Sequence, residues 1–155
     1  MITDGEIRDF IRERVFARLA FWGAIDGSVL GITIFGGKFL LFDTDEETWF
    51  EYDEVPYIQT FLSVDMKFGE RVREYIGANA PETCACMLSI SIFTPDELDN
   101  FNEQELWVKR IDETFRYMYY RTFRVASSVR AESRKSDSPY KTITLNYNCY
   151  YLSVR

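Results

Sequence analysis

The sequence predicts an α+β domain: a mostly antiparallel sheet, an N-terminal helix and a second helix packed on one side, and an additional β-hairpin in the N-terminal half. Three observations carry that prediction. Ile7, Phe10, Ile11, Val15, Leu19 and Trp22 recur at helical spacing near the start. Cys84–Phe93 is an almost uncharged β-prone run, as expected of a strand buried on both faces. Tyr140–Val154 alternates cleanly, with Ile143, Leu145, Tyr147, Cys149 and Tyr151 on one face and Thr142, Thr144, Asn146 and Asn148 on the other.

Taken in order, Thr3 with Glu6 forms a capping box opening a helix from about Asp4 to Phe21, which Gly23 and Asp26-Gly27 should stop. Ser28–Phe35 and Lys38–Asp43 read as strands joined by a tight Gly36-Gly37 hairpin turn, glycine being at ease in the left-handed conformations such turns need. The acidic bend Asp43–Glu47 leads to a strand at Thr48–Tyr52. Residues 56–68 fit two patterns. Tyr57, Phe61, Val64 and Phe68 make a helical stripe, while β-branched content and the alternation Leu62/Val64/Met66/Phe68 favour a strand, which is the expectation adopted. Gly69 should break it, leaving Arg71–Ile76 as a short separate piece. The central run should end at Thr94-Pro95, since proline has no donor for the ladder, and Thr94 with Glu97 can cap a helical turn. Asn102 with Glu105 caps the second helix, whose apolar side is Val108, Ile111, Phe115 and Met118. The aromatic run Phe115–Phe123 suits helix or strand; the helix is expected to end near Tyr119 and a strand to run from Thr122 to about Arg130. Ser133–Pro139 reads as an exposed loop. The element order is then α-β-β-β-β-β-α-β-β. At 155 residues, without internal repeat or linker, residues 1–155 read as one domain.

The net charge of -7 argues against wrapping nucleic acid, which requires a cationic face. Residues 1–105 carry 21 acidic and 8 basic side chains and residues 106–155 carry 4 and 10, so the two parts stand at -13 and +6. From Phe39 to Met66 there are eight carboxylates and no Lys or Arg. Two opposed faces on one domain suit head-to-tail self-assembly, whereas mixing of the two regions on folding would erase the effect. The 17% aromatic content serves either a Phe-rich core or an interface, where tyrosine combines apolar area with a polar tip. Three cysteines, an odd count, fit a reducing compartment better than a disulfide framework. The first residues carry no basic region leading into an apolar run, so no signal peptide is expected, and no apolar stretch is long enough to span a membrane.

The sequence offers little chemistry. It has no histidine, the commonest general base and metal ligand near neutral pH. Cys84-Ala85-Cys86 is too short for a redox motif and has no second pair to complete a zinc site, and Cys149 reads as core. Gly23, Gly27, Gly31, Gly36 and Gly37 match neither dinucleotide nor phosphate-loop spacing. Asp43, Asp45, Glu46 and Glu47 resemble a calcium loop slightly but lack its central glycine and closing glutamate. Glu51 and Asp53 share a strand face, the minimum for a two-carboxylate hydrolase and equally ordinary on a wet surface. No catalytic, cofactor-binding or metal residues are therefore assigned, and no enzyme activity is expected.

The run Cys86-Met87-Leu88-Ser89-Ile90-Ser91-Ile92-Phe93-Thr94-Pro95 resembles the tail terminator (tail completion) proteins of long-tailed bacteriophages. In that family an N-terminal helix and β-structure precede an apolar strand ending in a hydrophobic-Phe-Thr-Pro element, followed by a helix and two closing strands. The corresponding segments here are Ile7–Arg18, Phe68–Gly77, a helix at Glu103–Tyr119 containing Ile111-Asp112-Glu113-Thr114-Phe115, and strands at Arg124–Glu132 and Tyr140–Tyr151. The likeness covers most of the chain in layout, with Ile92-Phe93-Thr94-Pro95 its one motif; the Ser28–Asp43 hairpin and its acidic bend depart from the family pattern. The resemblance implies a structural virion protein at the tail-neck junction, made in the host cytoplasm. Such proteins form a ring, typically a hexamer, that ends tube growth and meets the tail tube protein and a neck or head-completion protein. A charge-directed version sets Asp43–Glu54 of one subunit against Arg121, Arg124, Arg130 and Lys141 of the next. The alternative is an acidic inhibitor or DNA mimic that occupies a host enzyme's nucleic-acid site, told apart by its failure to form rings.

Overall fold

The computed structural model describes residues 2–26, 31–43, 45–52, 60–73, 82–95, 101–133 and 140–153. Two helices, α1 (Asp4–Asp26) and α2 (Phe101–Phe115), accompany eight strands: β1 (Gly31–Ile34), β2 (Leu40–Asp43), β3 (Thr48–Glu51), β4 (Phe61–Arg73), β5 (Glu82–Pro95), β6 (Tyr119–Tyr120), β7 (Phe123–Ser133) and β8 (Tyr140–Ser153). The strands form one sheet in the order β3-β2-β1-β4-β5-β8-β7-β6. Every neighbouring pair is antiparallel except β1 with β4. The fold is α+β, as the sequence predicts.

Helix α1 starts where the capping box predicts. Thr3 Oγ1 accepts the Glu6 amide at 3.2 Å, and the Thr3 carbonyl accepts the Ile7 amide. Ile7, Ile11, Val15, Leu19 and Trp22 are buried, and each such side chain contributes roughly 1.5–3 kcal/mol relative to exposure. The helix passes the expected stop at Phe21 and runs on to Asp26. A helical glycine costs about 1 kcal/mol, and the buried Trp22, edge-on to Trp107 at 5.8 Å, holds the turn that contains Gly23.

The hairpin between β1 and β2 forms, one residue earlier than expected. Phe35 (φ 53°) and Gly36 (φ 73°) are its central residues, and the Gly37 amide reaches the Ile34 carbonyl at 3.0 Å. Phe35 is unusual in that backbone conformation. Its amide bonds to the Val64 carbonyl, and the Arg8 and Arg12 guanidinium groups lie 5.9 and 5.6 Å from its ring centroid. The flanking strands are accordingly shorter than Ser28–Phe35 and Lys38–Asp43, and residues 28–30 lie outside the described residues. Strand β3 matches Thr48–Tyr52 to within one residue.

Strand rather than helix is observed at Phe61–Phe68, with residues 56–59 outside the described set. Gly69 does not end it. A register shift between Phe68 and Arg71 absorbs the glycine, and β4 pairs with β5 as far as Arg73, so Arg71 begins no separate piece. Strand β5 is internal, between β4 and β8, and Pro95 is its last paired residue, opposite Tyr140. The turn expected from Thr94 to Glu97 lies outside the described residues after Pro95.

Helix α2 buries Gln104, Trp107, Ile111, Thr114 and Phe115, so Trp107 displaces Val108 from the centre of the expected face. It ends at Phe115, four residues before the expected Tyr119. The Met118 amide bonds back to the Phe115 carbonyl, Tyr117 takes φ 58°, and the chain turns directly into β6. Tyr119 and Tyr120 pair with Arg124 and Phe123, so the aromatic run is mostly hairpin. The expected Ser133–Pro139 loop lies, beyond Ser133, outside the described residues.

The core joins the inner faces of both helices to alternate residues of the sheet, among them Leu62, Val64, Leu88, Ile90, Leu145 and Tyr147. Phe10 of α1 stacks on Tyr120 of β6 at 4.3 Å, and Phe16 packs against Trp49 of β3 at 4.7 Å. These helix residues lie about 9 Å apart along the axis. The outermost strands of a flat eight-stranded sheet would lie about 34 Å apart. The sheet therefore curls around α1 and brings both of its edges to one helix.

Candidate functional site

The acidic bend is a hairpin loop between β2 and β3. Asp43 Oδ1 accepts the amides of Asp45 (2.9 Å) and Glu46 (3.3 Å), an arrangement in which aspartate mimics a backbone turn. Glu47 completes the loop at φ 55°. Asp43 is thus occupied in holding the turn, while Asp45, Glu46 and Glu47 are exposed and have no cationic partner among the described residues. Those residues contain no group of three or more His, Cys, Asp or Glu side chains placed to hold a metal ion. Glu51 bonds Lys38 Nζ at 3.1 Å, and Asp53 lies outside the described residues.

Cys84, Cys86 and Cys149 are buried and form no disulfide, with Cys86 and Cys149 directly opposite across β5 and β8. The Cys86 thiol is pushed well up, first by its hydrogen bond with Cys149 and then by burial. Such a thiol is a poor nucleophile. The Tyr147 hydroxyl is also pushed up, by burial and by the neighbouring Asp112, to which it donates a hydrogen bond at 3.1 Å. No helix of the described residues is long and apolar enough to cross a membrane.

The four basic residues expected on one surface separate into three places. Arg121 and Arg124 share the β6–β7 hairpin: Arg121 pairs with Glu6 at 2.5 Å, and Arg124 donates to the carbonyls of Arg121 and Phe123. Arg130, farther along β7, pairs with Glu105 of α2 and with Glu132. That contact raises the Arg130 pKa and lowers that of Glu105, in both cases chiefly through their mutual hydrogen bond. Lys141 is exposed near the start of β8, opposite Thr94. Arg130 is therefore neutralised within its own molecule.

Two surface features emerge instead. The first is a groove of about 530 Å³ between the outer side of α1 and the β2–β3 hairpin. Ala17, Ala20 and Ala24 form its floor, Phe16, Phe21, Phe42 and Trp49 its walls, and Glu47 stands at its rim. Trp49 is fixed between Phe16 and Phe42, with centroids 4.7 and 5.1 Å away, whereas Phe21 is 50% exposed. The trace it leaves in the sequence, three alanines at helical spacing on the side of α1 away from the core stripe, does not distinguish it from an ordinary solvent face.

The second feature is a ridge on the α2–β6–β7 turns. Tyr117 and Tyr119 are 75% and 71% exposed, the two most exposed large apolar side chains among the described residues. The Arg124 guanidinium lies 5.2 Å from the Tyr119 centroid, and Arg121 lies 5.3 Å from that of Tyr120. Arg121, at φ 53°, holds the first loop position of a two-residue hairpin, a place ordinarily taken by glycine. Its ion pair with Glu6 and the stacking of Tyr120 on Phe10 tie the ridge to the first turns of α1. Glu6 and Ala20 are about 21 Å apart along that helix, so ridge and groove are separate surfaces of opposite charge.

The helix-free face of the sheet carries hydroxyl and amide groups from β5, β7 and β8, with Asp65 and Lys67 of β4 exposed beside them. Ser89 Oγ donates to Asn146 Oδ1 at 2.6 Å, Ser91 and Thr144 hydroxyls lie 3.0 Å apart, and Asn148 Nδ2 donates to Ser127 Oγ at 3.1 Å. At one end an aromatic group covers it: Phe61 stacks on Phe93 at 4.5 Å and meets Phe39 and Tyr140 edge-on. Neither a protein-family model nor a curated protein matches the chain.

Proposed function

We propose that this chain is a structural virion protein whose copies close into a ring, a hexamer by the family resemblance, at the head-proximal end of a long-tailed phage's tail tube. The ring ends tube polymerisation and presents a surface to the neck. The observation that carries the proposal is the placing of an acidic apolar groove and a basic aromatic ridge on different parts of one small molecule. A contact between unlike surfaces propagates head to tail, and it yields a closed ring when the rotation per subunit closes. The succession of α1, the apolar β5 ending at Thr94-Pro95, α2 and the closing β7 and β8 supports the resemblance on which tube capping rests. The short β6 is an addition to that layout.

The test is light scattering and negative-stain imaging of the purified full chain, followed by its addition to polymerising tail tube protein. Closed rings and shortened, capped tubes are the expected results. A protein that stays monomeric at high concentration and leaves tube length unchanged overturns the proposal. If such a monomer bound a host nucleic-acid enzyme through Asp45, Glu46 and Glu47, it would support the acidic-inhibitor alternative instead.

A further inference from the structure

We infer that the Tyr117–Tyr119 ridge of one copy is the anchor that fills the α1/β2–β3 groove of the next copy, with Arg124 facing Asp45, Glu46 and Glu47 across the rim. The inference rests on the ring reading and deepens it by naming the two surfaces that meet.

Tyrosine suits the groove on three counts. The walls are aromatic and the floor is built of alanine side chains, leaving about 530 Å³ for rings that each bury about 150–250 Å². The mouth carries the acid Glu47, and the neighbouring Asp45 and Glu46 are unpaired among the described residues. Arg124, which lies over Tyr119, spends its described hydrogen bonds on backbone carbonyls and forms no described ion pair, so its charge is free to face those acids. Complementary rim charges of this kind fix orientation more than affinity, and the affinity comes from the buried aromatic anchors.

The ridge is also held ready. Positive φ angles at Tyr117 and Arg121 fix the two turns, and the bonds of Arg124 to the Arg121 and Phe123 carbonyls brace the hairpin between them. A side chain kept exposed in a sparsely populated backbone conformation is a recurrent feature of functional surfaces. The ridge cannot reach its own groove, because the Arg121–Glu6 ion pair holds it near the first turns of α1 while the groove lies over the later ones. The contact inferred is therefore one between copies and not within a single chain.

Complementation between two defective proteins tests this. Tyr117→Ser/Tyr119→Ser removes the ridge, and Ala17→Arg fills the groove at an exposed helical position; Phe21→Lys is a second groove variant. Each protein alone is expected to remain folded by circular dichroism and to self-associate at least ~30-fold more weakly than wild type, as for the loss of an interface hot spot. Mixing the ridge and groove variants should restore one junction and give a discrete 1:1 dimer, since each supplies the surface the other lacks. If the wild type forms rings and both variants still do so, or if the mixture of two monomeric variants gives no dimer, the inference is overturned and the ring reading survives. A monomeric wild type overturns the ring reading itself.

Discussion

Replacing Gly31 by alanine would place a methyl carbon 2.0 Å from Cζ of Phe39 and within 2.8 Å of two further ring atoms. The ring cannot yield easily, because it is 6% exposed and stands edge-on to Phe61 with centroids 5.7 Å apart. Gly31 therefore serves by lacking a side chain, and its main-chain pairing with Leu41 and Phe61 leaves the strand little room to retreat. Complete loss of a buried phenylalanine costs about 3–5 kcal/mol. A ring pushed out while still partly covered should cost Gly31→Ala roughly 2–3 kcal/mol on that scale. Urea unfolding followed by circular dichroism measures the change through a shifted midpoint at constant slope. The double variant Gly31→Ala/Phe39→Ala isolates the cause, since without the ring the added methyl has nothing to strike. It should be no less stable than Phe39→Ala alone, a strongly non-additive result. A Gly31→Ala protein within about 0.5 kcal/mol of wild type, or costs that simply add, would refute the reasoning.

Ile90→Asp puts a carboxylate at a fully buried position in the central strand and should largely abolish cooperative unfolding in a thermal melt. Reversing Asp45, Glu46 and Glu47 together to lysine should weaken self-association measured by light scattering, and salt should weaken the wild-type assembly modestly without dissolving it. Arg130→Ala should leave assembly unchanged, since Glu105 and Glu132 already occupy that guanidinium. Glu105 is held below its ordinary pKa by Arg130, so its pair contributes stability above the ordinary carboxylate range and loses it as pH falls through the lowered value. Glu105→Gln should remove about 0–1 kcal/mol at neutral pH and almost nothing well below that range, measured by urea unfolding at several pH values.

The regular parts of the fold were legible because their determinants are local. The period of α1 shows in five side chains of one stripe, and Thr3 caps the helix from three residues away. The alternation of β8 reports its buried face, and the lack of charge in β5 reports its internal place in the sheet, although β5 is buried on one face and not on both as expected. Candidate sites were less legible. The opposed charges could be counted along the chain, yet counting could not show that Arg130 is neutralised by Glu105 or that Asp43 holds its own turn. The groove was missed because its alanine floor looks like an ordinary solvent face until Phe42 and Trp49 stand beside it.

By itself, then, the sequence determined the α+β class, the central and last strands, the core stripe of α1 and the opposed charges of the two parts of the chain. Each follows from periodicity or composition within a few residues. The tertiary structure alone decided the parallel pairing of β1 with β4, the passage of β4 through Gly69, the end of α2 at Phe115 and the curl of the sheet around α1. These depend on contacts between residues far apart in the chain: Phe35 with Val64, Phe10 with Tyr120, Phe16 with Trp49. A local pattern states what each segment is able to bury, and only the assembled core settles which partner buries it.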